Sequence, residues 1–225
     1  MTRHLISYPK SGRTWLRYAF THLGIDDHIV FHHDGFEFND AALPRLDFAP
    51  EPRVERYRGA RVVYLARDPR DIMVSLFHQV TGRFADIFCY QGTVSEFLRH
   101  DYFGAHNLAR FQTLWRELTE RGVAIEVKYE DCHADFASSL RRIVDHYGLS
   151  VTDERYRAAV EAARFDRMQE VEREGAFSEP WLRPRNGSLK VREGKVGGYK
   201  DALSTADIAY LDAVFGANHL PLRSS

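Results

Sequence analysis

The stretch Tyr8-Pro9-Lys10-Ser11-Gly12-Arg13-Thr14-Trp15 joins the first expected strand to the first expected helix, and its chemistry is that of an anion cradle. Leu5–Ile6–Ser7–Tyr8 reads as the strand, and Leu16, Phe20 and Leu23 fall on one face of a helix beginning near Arg13. The first turn of a helix leaves backbone N–H groups unpaired, and the macrodipole makes that end positive. Gly12 permits close backbone approach to an oxyanion; Lys10 and the hydroxyls of Ser11 and Thr14 add donors. The general phosphate-loop pattern G-x-x-x-x-G-K-[ST] fails twice, with Ser7 in place of its first glycine and Arg13 in place of its lysine. An ordinary strand-to-helix turn is the plain alternative. A lysine, two hydroxyls and an arginine within so few residues weigh against it.

Outward from that loop, short β-rich runs alternate with helical stretches, which predicts an α/β domain of three layers, α/β/α, around a central parallel sheet. Further strands are expected at Ile29–Val30–Phe31, at Arg61–Leu65 and at Val123–Val127. Pro69 suits the first turn of a helix that continues through Ile72, Leu76 and Val80. Leu108, Phe111, Trp115 and Leu118 share a helical face, as do Phe136, Leu140, Ile143 and Tyr147. Residues 152–172 read as helical and charged. Ser204, three residues before Asp207, predicts the cap of a final helix. Between them, from about 173 to 200, prolines, glycines and charges without periodicity predict a flap, so the chain reads as one domain over 1–225.

The 225 residues carry 31 Lys plus Arg against 32 Asp plus Glu, a net charge of −1 that argues against a general nucleic-acid or membrane-surface binder. Apolar residues at 44% and aromatics at 13% suffice for a core, which excludes a mainly disordered chain. Cys89 and Cys132 form no metal-ligand or disulfide pattern. No apolar run approaches a membrane span of about 20 residues, and Met1–His4 leaves no room for a signal peptide. The expected location is cytoplasmic.

Pro9-Lys10-Ser11-Gly12-Arg13-Thr14-Trp15 resembles the signature P-K-S-G-T-T-W of the sulfotransferases that use 3′-phosphoadenosine-5′-phosphosulfate (PAPS), matching at six of seven positions. Arg13 is the departure. The resemblance implies a fold like that of the phosphate-loop nucleoside triphosphatases. It also implies that Lys10, Ser11, Gly12, Arg13 and Thr14 hold the 5′-phosphosulfate, with Arg13 adding charge, while Trp15 lies against the adenine. Arg67-Asp68-Pro69-Arg70-Asp71, followed by Ser75, is similar to the family's second signature, R-[ND]-P-x-D and then a serine; it implies Arg67 and Ser75 at the 3′-phosphate. Taken alone, the same stretch reads as a charged helix start capped by Asp68. Arg192-Glu193-Gly194-Lys195-Val196-Gly197-Gly198-Tyr199-Lys200 resembles R-K-G-x-x-G-D-W-K, which implies Arg192 and Gly194 at the same phosphate; Glu193 and Gly198–Tyr199 depart from it, and Lys195 compensates for Glu193. Tyr129 in Lys128-Tyr129-Glu130-Asp131 and Phe165 in Arg164-Phe165-Asp166-Arg167-Met168 resemble the family's adenine-side aromatics, though each also suits a core position.

Sulfuryl transfer is an in-line displacement like phosphoryl transfer, and it needs a base near the acceptor proton. His33, ending the second strand, is the leading candidate, with His32 and Asp34 in reserve; a strand-end histidine that only bonds its neighbours is the plain alternative. Lys10 would meet charge developing on the oxygen of the departing adenosine 3′,5′-bisphosphate (PAP), and no metal is required. The expected reaction moves a sulfuryl group from PAPS to a hydroxyl or amine of a small aromatic or glycosylated acceptor. Phe84, Ile87, Phe88 and Tyr90, with Phe177, Trp181, Leu182, Arg183 and Arg185, are candidate pocket walls, the arginines suiting an acidic acceptor. Two rivals stand beside this: a kinase or nucleoside triphosphatase using ATP with Asp34 on magnesium, and a nucleotide-binding protein without catalysis. The dimer segment K-x-x-x-T-V-x-x-x-E is not found, which leaves the oligomeric state open.

Overall fold

Two apolar runs, Leu5–Ile6 and Val62–Leu65, become the centre of the protein because each is buried on both faces. In the computed structural model, which describes residues 1–37, 47–175, 185–187, 194–220 and 222, β1 (Arg3–Ile6), β2 (Val30–His32), β3 (Arg61–Ala66) and β4 (Ile125–Lys128) form a parallel sheet in the order β2-β1-β3-β4. Neighbouring residues point to opposite faces. Leu5, Val63 and Leu65 enter one core, while Ile6, Val62 and Tyr64 enter the other. Strands apolar on both faces require helices above and below, as parallel sheets generally do.

The first layer holds α1 (Arg13–Leu23), and α2 (Glu51–Arg56) follows β2. Next come α3 (Pro69–His78), a π-helical turn at Gln79–Arg83, α4 (Ala85–Phe88), α5 (Val94–Arg99) and α6 (Ala105–Glu120). After β4 the chain forms α7 (Tyr129–Ala134), α8 (Phe136–Tyr147), α9 (Asp153–Ala162) and α10 (Phe165–Arg173), and it ends in α11 (Tyr199–Ala202) and α12 (Thr205–Ala217). Leu16, Phe20, Leu140 and Ile143 pack one face of the sheet; Leu108, Phe111, Trp115 and Phe215 pack the other. Each such side chain contributes about 1.5–3 kcal/mol by leaving water. The result is the single three-layer α/β domain that the alternation predicts. Among the described residues no helix is long and apolar enough to cross a membrane.

Where bounds differ from the sequence pattern, hydrogen bonds give the reason. The first strand stops at Ile6 rather than Tyr8, because the Ser7 carbonyl meets the His33 ring and the Tyr8 carbonyl accepts from the Ser11 N–H. The fourth begins at Ile125 rather than Val123, whose N–H closes the end of α6 on the Leu118 carbonyl. The charged segment 152–172 divides in two at the extended Arg164. Tyr129–Asp131, which follow the strand, form the first turn of α7. Ser204 caps α12 as expected, accepting from the Asp207 N–H, but its hydroxyl and not its backbone meets the Asp207 carboxylate.

Asp34 is a pillar of this framework. Its fully buried carboxylate pairs with the buried Arg53 guanidinium, with Arg56 at 3.1 Å and with the Tyr57 hydroxyl. Removing one partner of a buried pair strands the other charge, which costs about 3–5 kcal/mol. Asp34→Ala should therefore lower unfolding free energy by about that much in chemical denaturation; a loss under about 1 kcal/mol would show the pair to be incidental.

Candidate functional site

The chain leaves β1 through a tight turn and enters α1 with no side-chain cap. Lys10 sits at φ +74° and Gly12 at φ +99°, the left-handed region that ordinary residues avoid. Pro9, Lys10, Gly12, Arg13, Thr14 and Trp15 all line a cavity of about 730 Å³, within the usual size range of small-molecule sites. Ser11 does not line it; at 1% exposure it is packed beneath the turn. Gly12 is needed for a reason its sequence does not reveal. A Cβ there would stand 2.5 Å from Cδ2 of Tyr129, so that ring, rather than a ligand, takes up the space a side chain would fill.

Arg67 follows β3 and reaches across the cavity floor. It donates to the Lys10 carbonyl at 3.1 Å and to the Lys195 carbonyl at 3.3 Å, and its guanidinium lies 4.3 Å over the Tyr129 ring. Its Nε is buried and has no hydrogen-bond partner among the described residues. Ser75 lines the same cavity from the second turn of α3. The intervening charges are structural. Asp68 caps α3 through the Arg70 N–H and pairs with the Arg70 side chain at 2.7 Å, and Arg70 lies over the Tyr199 ring. Asp71, 4% exposed, accepts from the Gly197 and Tyr199 N–H groups at 2.8 and 3.0 Å. The helix-start reading of this stretch is thus realised at Asp68 and Arg70, while Arg67 and Ser75 line the cavity.

The third segment returns to the same place. The Tyr129 hydroxyl donates to the Gly194 carbonyl at 2.9 Å, and a Cβ on Gly194 would collide with the Phe165 ring. Lys195 offers its carbonyl to Arg67, and its ammonium pairs with Asp201. Arg192 lies outside the described residues, as do Phe177, Trp181, Leu182 and Arg183. Trp15 stacks on Phe136 at 4.6 Å, donates its ring N–H to the Ala163 carbonyl at 2.6 Å and meets Tyr129 edge-on. Trp15, Tyr129 and Phe165 together line one end of the cavity, and burial raises the Tyr129 pKa.

His33 lines the cavity as well. It is buried, and its Nδ1 lies 2.7 Å from the Ser7 carbonyl, which can only accept. That bond places the proton on Nδ1 and the lone pair on Nε2. His32, one residue earlier on the strand, faces the other way, where its Nε2 lies 3.3 Å from His4 Nδ1 and its ring stacks on Tyr57. Burial, reinforced by His4, Arg13 and Arg56, pulls its pKa down to about 4. Neither His32 nor Asp34 lines the cavity, so neither reserve is placed to act there, and the magnesium role imagined for Asp34 falls to its arginine pairs.

Among the other candidate walls, Phe84 lines the cavity. Phe88 and Tyr90 pack on Phe103, and Arg185 lies over Phe84 while pairing with Asp86 at 2.9 Å. Arg17, Asp71, His78, Gln79 and Arg83 line the cavity without having been singled out in the sequence. Arg17 was findable, being one helical turn beyond Arg13. Arg83 enters through the π-helical turn, which no pattern announces.

A family model described as "Sulfotransferase domain" matches residues 56–220, a span that contains Arg67, Ser75 and Gly194 but begins after Lys10 and His33. Relatives match nearly the whole chain. Amine sulfotransferase of Oryctolagus cuniculus is 21% identical over 94% of this chain and 78% of its own length. Flavonol 3-sulfotransferase of Flaveria bidentis is 23% identical over 97% and 83%. Among solved structures, mouse sulfotransferase SULT7A1 complexed with PAP superposes with a TM-score of 0.70 at 18% identity, covering 96% of this chain and 84% of that one. At that identity the likeness is one of fold.

Asp71 is the tie between α3 and the returning segment. Hydrogen bonds to a charged group are worth about 1.5–3 kcal/mol, and each 1.4 kcal/mol is about a tenfold change in an equilibrium. Asp71→Ala should accordingly speed amide hydrogen exchange at Gly197 and Tyr199 by about tenfold or more. Unchanged exchange at both amides would show that the segment is held by something else.

Proposed function

We propose that this chain, which belongs to the sulfotransferase family, transfers the sulfuryl group of PAPS to a hydroxyl or amine of a small acceptor, with His33 as the base. The observation that carries the reading is the company His33 keeps. It shares one cavity with Lys10, Arg67 and Ser75, and its ring is tied so that Nε2 can take a proton.

The residues present fit such a donor. Arg67 has a buried Nε without a partner, and α1 begins at a bare glycine N-cap, both suited to oxyanions. When bound, PAPS supplies the sulfuryl group and an oxygen that leaves with negative charge. Lys10 and the backbone N–H groups of Gly12, Arg13 and Thr14 hold the 5′-phosphosulfate, with the Thr14 hydroxyl beside them and Ser11 packed beneath the turn, and Lys10 stabilises the charge that develops there. Arg67, Ser75, Gly194 and Arg192 hold the 3′-phosphate, and Trp15, Tyr129 and Phe165 bracket the adenine. His33 Nε2 takes the acceptor's proton. The stretch 173–200 acts as the flap of a single 1–225 domain, its returning end pinned by Asp71 and Tyr129. Phe84 is a wall of the acceptor pocket.

Labelled sulfate should pass from PAPS to members of a panel of phenols, glycosides and amines in excess chelator. His33→Ala should lower turnover by roughly 10²–10⁴, the usual span for a general base, with PAP affinity nearly unchanged. Equal turnover in the variant would remove His33 from the role. Lys10→Ala should weaken both turnover and PAP binding, the latter by about 1.5–3 kcal/mol; full PAP affinity in that variant would contradict the loop assignment.

A further inference from the structure

We propose that the acceptor carries an oxyanion of its own, a carboxylate or a sulfate or phosphate ester near the group that reacts, and that the Arg13 guanidinium seats it. This rests on the sulfotransferase reading above.

The order of the strands lays out the cavity. Arg67 and Tyr129 follow β3 and β4, Lys10 follows β1, and His33 follows β2 at the sheet's edge. The nucleoside end of the proposed donor therefore lies over β3 and β4, and the acceptor approaches on the β2 side, where the base is. The Arg13 side chain belongs to that second side. The charges that act on it are those of Glu37 and Arg17, and its own charge is felt at His32 on β2. Arg17, one turn along the same face of α1, lies 5.1 Å over the ring of Phe31, also on β2. Position 13 can thus present its backbone N–H to the loop's ligand while its side chain serves a different one.

The second observation is a missing partner. Arg13 lines the cavity, yet its Nη1 is buried with no hydrogen-bond partner among the described residues. Glu37, the carboxylate that acts on it, makes no ion pair with it and spends Oε1 on the His33 N–H at 2.7 Å. Burial, with Arg17 adding to it and Glu37 opposing, draws the Arg13 pKa down to about 10. A buried guanidinium N–H left unbonded is costly to the protein. An oxyanion arriving with the substrate offsets that cost and gains from charge-assisted, bidentate geometry. A neutral acceptor offers the guanidinium no such charge-assisted partner.

The test titrates PAP-saturated protein calorimetrically with 4-hydroxybenzoate and with its methyl ester. We expect the wild-type protein to bind the acid about tenfold or more tightly than the ester. Arg13→Gln should bring the two within about twofold of each other while PAP affinity stays within about threefold, and Arg13→Lys should restore part of the preference. Equal binding of acid and ester by the wild-type protein overturns the proposal. So does a preference that survives in Arg13→Gln, or a PAP affinity that falls with it, which would give the side chain to the donor. Failure of the wild-type protein to bind PAP at all is a different result and overturns the sulfotransferase reading itself.

Discussion

The packing of Gly12, Arg67 and Gly194 around the single ring of Tyr129 is the constraint on which the site depends. The ring edge fills the space where a Gly12 side chain would be, its face carries the Arg67 guanidinium, and its hydroxyl binds the Gly194 carbonyl. Arg67 closes the circuit by donating to carbonyls on both the first loop and the returning segment. Parts of the chain that are distant in sequence are thereby held around one cavity. Neither glycine has an easy substitute, since both adopt positive φ and both have an aromatic ring where a Cβ would go.

The framework beneath is a stiff one. β1 and β3, buried on both faces, cannot slip register without exposing apolar side chains, and with β2 paired to β1 the strand ends place Lys10, His33 and Arg67 along one rim. Asp34 adds to this rigidity through its arginine pairs. Preorganisation of this kind is what in-line transfer demands, because little of its barrier is removed except by positioning and by charge already in place. The Ser7 carbonyl extends the logic to His33, since it orients that ring and selects its tautomer.

Much of this was legible from residue types alone. The alternation of β-rich runs and helical faces predicts the parallel sheet, and Leu108, Phe111, Trp115 and Leu118 are all fully buried as their spacing requires. The first loop and the Arg67 stretch announce an oxyanion site because lysine, arginine, hydroxyls and glycine cluster there at strand ends. Other features were hidden because they depend on distant partners. Nothing near Gly12 says that Tyr129 needs its space, and nothing near Asp71 says that it holds Gly197 and Tyr199. The choice among His32, His33 and Asp34 was open in sequence, since all three are polar and adjacent; the pleat of the strand and the arginines on α2 turn His32 and Asp34 away and leave His33 on the cavity.

A cavity built this way discriminates between nucleotides by where their phosphates lie. In the proposed reading one anion sits after β1 and a second after β3, beside the returning segment. Isothermal calorimetry of the purified protein with adenosine 3′,5′-bisphosphate and with ATP tests that arrangement most directly. The account predicts clear binding of the bisphosphate, in preference to ATP and without added magnesium. No binding of the bisphosphate, or tighter binding of ATP, would contradict it.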